Sequence, residues 1–522
     1  MRTALLVLGL LLMASELSAF TINPVPAISN VRFEFMPHRI GTEPVPTLYL
    51  RGCEGERVQA AFYIAGCSPV KGLMVKADAP CDLRWIKWWW QAGRMVMESN
   101  RPQYVPELLL HDGNLVNSSP QVPKVNIYPD VPQDASTLQP LDCVQDYGGI
   151  EGFEQGVFMT VVLDKARPKM TLRVTAEGFA PVDVPVQMQV YPFVLPAPEC
   201  DYSIYYRPKF NHGEPGLNPD YRTPAQMHAD LTCMVEHGIV NPVTYMGEGS
   251  LAAVLCARRA AGCDNRRLFT GQPVGHQATA EGFDRSTFPA LKAGFEAQAR
   301  RMVEETRPFG VEEVYLAGRD EADGVNIWKQ APLWNAVRQG GAKVWAASSG
   351  LPEKEVLAHL DDLQDVIVRS GTWPTPEAVA AVREAGKRTY VYGKPAPCED
   401  PDGHRRHQGL LMFLSGVDGS MEYASAHLWD TSLHPWDEFG GLNGHWRPIM
   451  LFYPTIDGVV PTLQLEGFAA GVIDYRYLQK LASMRTSKRR EDFWRRVTQE
   501  SATVDLDAMR DEAARLIMDG RG

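Results

Sequence analysis

The chain has 522 residues, 45% of them hydrophobic and 22% charged, with a formal net charge of −11 at pH 7. That length exceeds what one compact core supports, so two or three domains are expected. The negative charge argues against wrapping nucleic acid or docking on an anionic membrane, and leaves neutral ligands such as sugars open.

At the N-terminus Arg2 precedes an apolar run from Ala4 to Ala14, too short to span a bilayer. Leu17-Ser18-Ala19 then offers a small-residue cleavage site before Phe20. Residues 1–19 read as a signal peptide with cleavage near Ala19. The mature chain is therefore expected in the periplasm or outside the cell, without membrane insertion. The nine Cys include no CxxC pair. An oxidising compartment permits a Cys53–Cys67 or Cys256–Cys263 bridge on sequence proximity.

Residues 20–190 show no convincing helix. Arg57–Ile64, Gly156–Leu163, Met170–Thr175 and Val182–Val190 read as strands, the last two with one apolar face. Short strands punctuated by Pro and Gly predict an antiparallel β-sandwich. Trp85-Ile-Lys-Trp-Trp-Trp90 reads as a strand with rings on both faces rather than a sugar platform. Residues 191–200 form a linker stiffened by Pro192, Pro196 and Pro198.

From 201 the period changes. Strands are predicted at Tyr202–Tyr206, Ile239–Tyr245, Arg267–Thr270, Val311–Ala317, Ala342–Ala347, Asp365–Arg369, Arg388–Tyr392 and Gly419–His427. Helices are predicted between them, among them one opened by Thr223-Pro224, then Leu251–Ala261, Ser286–Arg307, Gly403–Leu414 and Leu465–Met484. Eight alternations predict a (β/α)8 barrel over 201–484, followed by a helical tail over 485–522.

Such a barrel keeps its chemistry where strands end. The fourth strand ends in Gly318-Arg319-Asp320-Glu321. Two adjacent carboxylates can divide acid and base roles, because each perturbs the other's pKa. The plain alternative is a solvated loop in which Asp320 or Asp323 caps the next helix. Neighbours in a strand face opposite ways, so both acids reach one pocket only through a twist or a bulge. The other strand ends contribute Tyr206, Arg207, Tyr245, Thr270, Ser348, Arg369, Tyr392, His427 and Trp429. Rings, hydroxyls and charges of this kind suit a glycan. His404 and His407 share a metal-ligand spacing, but without a carboxylate or Cys beside them they read as solvated helix surface. Phosphate-loop and GxSxG motifs are absent from the sequence. No metal and no cofactor are expected.

Several segments together resemble glycoside hydrolase family 123: Tyr104-Val-Pro-Glu-Leu-Leu109, Tyr191-Pro-Phe-Val-Leu-Pro196, Val314–Glu321, Leu451-Phe-Tyr-Pro-Thr-Ile-Asp-Gly458 and Gly471-Val-Ile-Asp-Tyr-Arg-Tyr-Leu478. The resemblance implies a sandwich, a Leu-Pro linker and a barrel that cleaves β-linked N-acetylhexosaminides, N-acetylgalactosamine favoured, with retention. The substrate's acetamido oxygen acts as nucleophile, which departs from the two-carboxylate scheme. Glu321 is then the general acid/base, Asp320 stabilises the acetamido group, and Arg319 keeps Asp320 ionised. Ala322, Gln464 and Ala469 stand where relatives commonly place Pro and Arg. Two alternatives remain. A non-acetamido sugar would need a second carboxylate, with Glu422 or Glu399 nearest, and a barrel without catalysis would only bind glycans.

Overall fold

The computed structural model describes residues 20–30, 44–66, 68–93, 101–143, 145–146, 151–211, 213, 215–217, 220–245, 250–273, 288–322, 327–348, 351–370, 373–392, 400–428, 433–439 and 447–520. The expected signal peptide, Cys67, Cys398, Glu399 and Trp429 lie outside these residues. The chain divides into two compact units. One comprises residues 1–90, 104–195 and 517–522, the other 91–103 and 196–516. No described helix is long and apolar enough to cross a membrane.

The first unit is a β-sandwich. One sheet orders Thr21–Val25, Arg57–Gly66, Glu151–Val162, Asp82–Gln91 and Gln103–Leu110. The other orders Leu48–Cys53, Val182–Tyr191, Lys169–Thr175, Val70–Ala77 and Leu141–Cys143. Alternation explains the core. Met170, Leu172 and Val174 face inward with Val184, Val186 and Met188, against Phe62, Ile64, Trp85 and Val157 of the first sheet. The sandwich is not purely antiparallel, since Leu48–Cys53 runs parallel to its neighbour Val182–Tyr191. The Trp-rich strand carries rings on both faces. Trp85 and Trp89 are fully buried, while Trp88 and Trp90 pack on Tyr104 at 5.9 and 5.4 Å.

In the second unit eight parallel strands close into a barrel: Asp201–Tyr206, Val243–Thr244, Arg267–Pro273, Glu313–Ala317, Lys343–Ser348, Val366–Ser370, Arg388–Tyr392 and Gly419–Glu422. The first strand pairs with the eighth, Asp201 opposite Gly419. Inward side chains fill the interior: Tyr205, Phe269, Tyr315, Trp345, Tyr390 and Met421. Phe269 stacks on Tyr315 at 4.6 Å. Such a barrel is a packed core and not a pore. At the strands' N-terminal ends Asp201 accepts hydrogen bonds from Arg267 and Tyr390, and Arg388 lies 3.8 Å from Glu313. Charged side chains meet there on inward-facing positions, so the opposite end is left for a ligand.

Helix positions follow local signals. Pro224–Glu236 starts on a Thr223 cap paired with Gln226, with Pro at the first turn. The helix expected over 403–414 forms over Pro401–Ser415, with a π-helical turn at His407–Leu411 inside it. The helical tail consists of two helices, Lys488–Gln499 and Leu506–Asp519, because the Asp505 carboxylate caps a new start at Asp507 and Ala508. One strand expectation needs correction: the eighth strand ends at Glu422, and Ala426–His427 pairs instead with Ile449–Met450. Cys256 and Cys263 are both free thiols, as is Cys53.

Candidate active site

The fourth strand positions the carboxylate pair through a break in its pairing. Ala317 pairs with Trp345 of the fifth strand, and pairing resumes at Ala322 opposite Ser348. Five steps along one strand therefore match three along the other, and the two extra residues swell out as a bulge. Gly318 begins it. Its N–H donates to Trp345 O at 2.6 Å, and a Cβ there would stand 3.0 Å from the Ala346 methyl carbon. The Arg319 N–H is held by Gln330 Oε1 at 2.8 Å. Glu321 then takes φ +48°, a left-handed conformation that strains a residue bearing a Cβ. Strain of about 1–3 kcal/mol persists where surrounding structure imposes it, and it concentrates at functional sites.

This backbone resolves the alternation problem. Asp320 and Glu321 both emerge at the C-terminal end of the barrel, on its solvent side. Partial burial and then the Asp320 charge push the Glu321 carboxyl above its ordinary value. Burial raises the phenols of Tyr245 and Tyr423, and the Asp320 charge adds a smaller push in the same direction, so the pair and these rings share one electrostatic environment.

The rings form a platform. Tyr205 lies 6.3 Å from Tyr245, 5.1 Å from Tyr423 and 5.5 Å from Trp345. Tyr245 lies flat against Gly271, where a Cβ would meet the ring at 2.5 Å, so only glycine fits. Arg207 covers the Tyr245 face at 5.4 Å and donates from Nη1 to the Tyr423 hydroxyl at 3.0 Å. Tyr423 in turn lies 2.8 Å from His427 Nδ1. Burial, with Arg207 adding to it, lowers the His427 pKa to about 3. The peptide between Tyr423 and Ala424 is cis.

Arg207, Tyr245 and His427 thus gather where the sequence predicts them. Tyr206 does not. Its neighbour Tyr205 occupies the barrel interior, so alternation turns Tyr206 outward, where its hydroxyl donates to Asp230 at 2.9 Å. Arg319 forms no ion pair among the described residues, so it is not seen to hold Asp320; the cation in the ring cluster is Arg207. Tyr392 ends the seventh strand, but its side chain lies outside the description, as does all of Trp429. Ser348 accepts from Gln364 and Arg369 donates to Leu351 O, ties to the barrel's own framework.

Glu422 is not a second pocket carboxylate. Met421 faces the interior, so Glu422 faces the helices, where it accepts from Gln408 at 2.7 Å and lies 3.0 Å from His407. His404 and His407 are correspondingly enclosed rather than solvated, with His404 only 5% exposed. Among the described residues no group of three or more His, Cys, Asp or Glu is placed to hold a metal ion. Sequence reasoning missed Tyr423 and the buried Tyr205 that backs it. The available signal was parity: Tyr423 stands two residues beyond the inward Met421.

No protein-family profile matches the sequence, and no curated protein matches it significantly. The three-dimensional comparison is more informative. A family 123 glycoside hydrolase from Clostridium perfringens, studied for glycolipid glycan hydrolysis, superposes with a TM-score of 0.63 at 12% identity, covering 96% of this chain and 98% of its own. The chain shares that enzyme's fold. A Bacteroides ovatus GH5 xyloglucanase reaches 0.31 at 9% identity, covering 82% of this chain and 98% of its own. A Parabacteroides merdae β-glucuronidase reaches 0.29 at 9%, covering 81% and 52%. Scores at that level do not establish a common fold.

Proposed function

We propose that the protein is a glycoside hydrolase acting on terminal β-linked N-acetylhexosaminides, N-acetylgalactosamine favoured, by a retaining, substrate-assisted mechanism. The observation that carries the reading is the bulge that projects Asp320 and a strained Glu321 together from the end of the fourth barrel strand, in a fold shared with a family 123 enzyme. Glu321 protonates the leaving glycosidic oxygen. Its raised carboxyl keeps a proton further up the pH scale than a free glutamate, as a general acid requires. Asp320 orients the acetamido group and stabilises the charge that develops as its oxygen attacks the anomeric carbon. Glu321 then returns as base to activate water against the cyclic intermediate. Tyr245 and Tyr423, backed by the buried Tyr205, offer faces and hydroxyls to the sugar, and Arg207 supplies the cation.

The displacement of Glu422 into the helix layer favours this scheme over one with a separate enzymic nucleophile. Cleavage of 4-nitrophenyl N-acetyl-β-galactosaminide that disappears in Glu321→Gln supports the assignment. Undiminished activity in that variant sinks it. We also propose that residues 1–19 direct export, which mass spectrometry checks as a mature chain beginning at Phe20.

A further inference from the structure

The bulge that carries Asp320 and Glu321 takes part of its hydrogen bonding from outside the sheet. Between Ala317 opposite Trp345 and Ala322 opposite Ser348, the fourth strand is out of register with the fifth. Gly318 still donates to Trp345 O at 2.6 Å. The next N–H, that of Arg319, donates to a side chain instead, Gln330 Oε1 at 2.8 Å. A backbone N–H can only donate, so the Gln330 amide must turn its oxygen to this side. Gln330 is itself fully buried.

Gln330 stands directly before helix Ala331–Gln339, and its backbone is fixed there. Its N–H donates to Ile327 O at 3.1 Å, and its carbonyl accepts from the N–H groups of Leu333 and Trp334 at 2.9 and 3.1 Å. Trp334 follows one turn later on the same helix face. Its fully buried side chain lies against Gly318, where an added Cβ would stand 3.5 Å from the indole Nε1. That N–H has no acceptor among the described residues. Trp334 therefore supports the bulge by contact, and Gln330 supports it by a hydrogen bond. The far end of the helix is wedged: a Cβ on Gly340 would stand 2.6 Å from the Ala299 methyl carbon, and Arg338 donates to Asp365 at 3.1 Å.

We infer that Gln330 is a positioning residue for the carboxylate pair: its side-chain oxygen replaces the missing backbone acceptor at Arg319 and so fixes the directions of the adjoining Asp320 and Glu321, with Trp334 as the floor beneath Gly318. A buried N–H without an acceptor and a left-handed backbone at a residue with a Cβ carry costs of the same order. Loss of the acceptor lets the chain exchange one for the other. The Arg319 N–H then turns toward water, and Glu321 leaves its φ of +48°. Being fully buried, Gln330 acts through the Arg319 backbone and not on a sugar. The kinetic part of this inference rests on the proposed role of Glu321 as general acid; the hydrogen-bond part stands without any substrate.

Two measurements on the full chain keep those parts separate. Amide hydrogen exchange resolved at Arg319 should be slow in the parent and about tenfold faster in Gln330→Met, which keeps the side chain's length and removes its oxygen. Fast exchange in the parent, or unchanged protection in the variant, overturns Gln330 as the holding contact whatever the activity. In turnover, Gln330→Met should lower kcat/KM about tenfold on phenyl N-acetyl-β-galactosaminide, the equivalent of one hydrogen bond. On the 2,4-dinitrophenyl glycoside it should stay within about twofold of the parent, because that leaving group departs without a proton. An equal loss on both substrates, as a general loss of folded protein would give, overturns the positioning role, and so does no loss on either. Absence of glycosidase activity in the parent protein would instead refute the proposed function and leave the exchange result to decide the inference.

Discussion

Glu321 and Glu422 each stand at the C-terminal end of a barrel strand, yet they lead opposite lives. Glu321 leaves the fourth strand on a bulge, in a left-handed backbone, and reaches the solvent side beside Asp320. Glu422 completes the eighth strand in regular register, opposite Ile204, and is buried against Gln408 and His407. The comparison teaches that residue type and strand-end position do not make a site. The decisive difference is whether the local backbone breaks the alternation that sends every second side chain to the helices.

Substitutions can break or sharpen that contrast. The largest effect is expected at Glu321→Gln, which should lower kcat by about 10³–10⁴ for substrates with poor leaving groups, as loss of a general acid does. Glu422→Gln should stay within a few-fold of the parent, and an equal loss at both positions would erase the distinction. Asp320→Asn should lower kcat by about 10²–10³. It should also move the basic limb of the pH–rate profile downward. The sign follows from the physics: the acid must be protonated, activity falls as pH rises through its pKa, and the Asp320 charge helps to raise that pKa.

A third carboxylate separates burial from function. Burial alone pushes Glu154 of the sandwich up from 4.5 to about 8. Its folded pKa is raised, so the stability it contributes is complete below about 4.5 and drains away as pH climbs toward 8. Glu154→Gln should keep on the order of 1–3 kcal/mol that the parent loses over that window, read from denaturant midpoints at pH 5 and pH 8.5, with kcat unchanged. The smallest effect tests the strained backbone. Glu321→Gly should stabilise the chain by about 0.5–1 kcal/mol while abolishing turnover, because glycine adopts positive φ freely. The same change at Glu422, in an extended strand, should destabilise it.

Much of the fold was legible in the sequence, because hydrophobic period is a local property. Helix Leu251–Ala261 and strand Arg388–Tyr392 match their sequence expectations residue for residue. The Thr223–Pro224 start needed only a capping oxygen and a preset φ. Strand ends were harder. The eighth strand stops at Glu422 although polar and apolar residues continue to alternate. The helical tail was legible from charge and period, but not its division in two at the Asp505 cap. Assigning Tyr206 to the pocket failed by one residue, and in a strand one residue is a whole face.

The sequence by itself determined that an eight-stranded barrel follows a β-rich segment, and that Asp320 and Glu321 close its fourth strand, because period, proline and glycine act over a few neighbouring residues. Only the tertiary structure decided that both acids reach one end of the barrel, since their direction depends on two extra residues measured against the fifth strand. It alone turned Tyr205 into the barrel interior and Tyr206 and Glu422 toward the helices. It alone gathered Arg207, Tyr245, Tyr423 and His427 from strand ends more than 200 positions apart. Facing is a property of paired strands, and no single strand carries it.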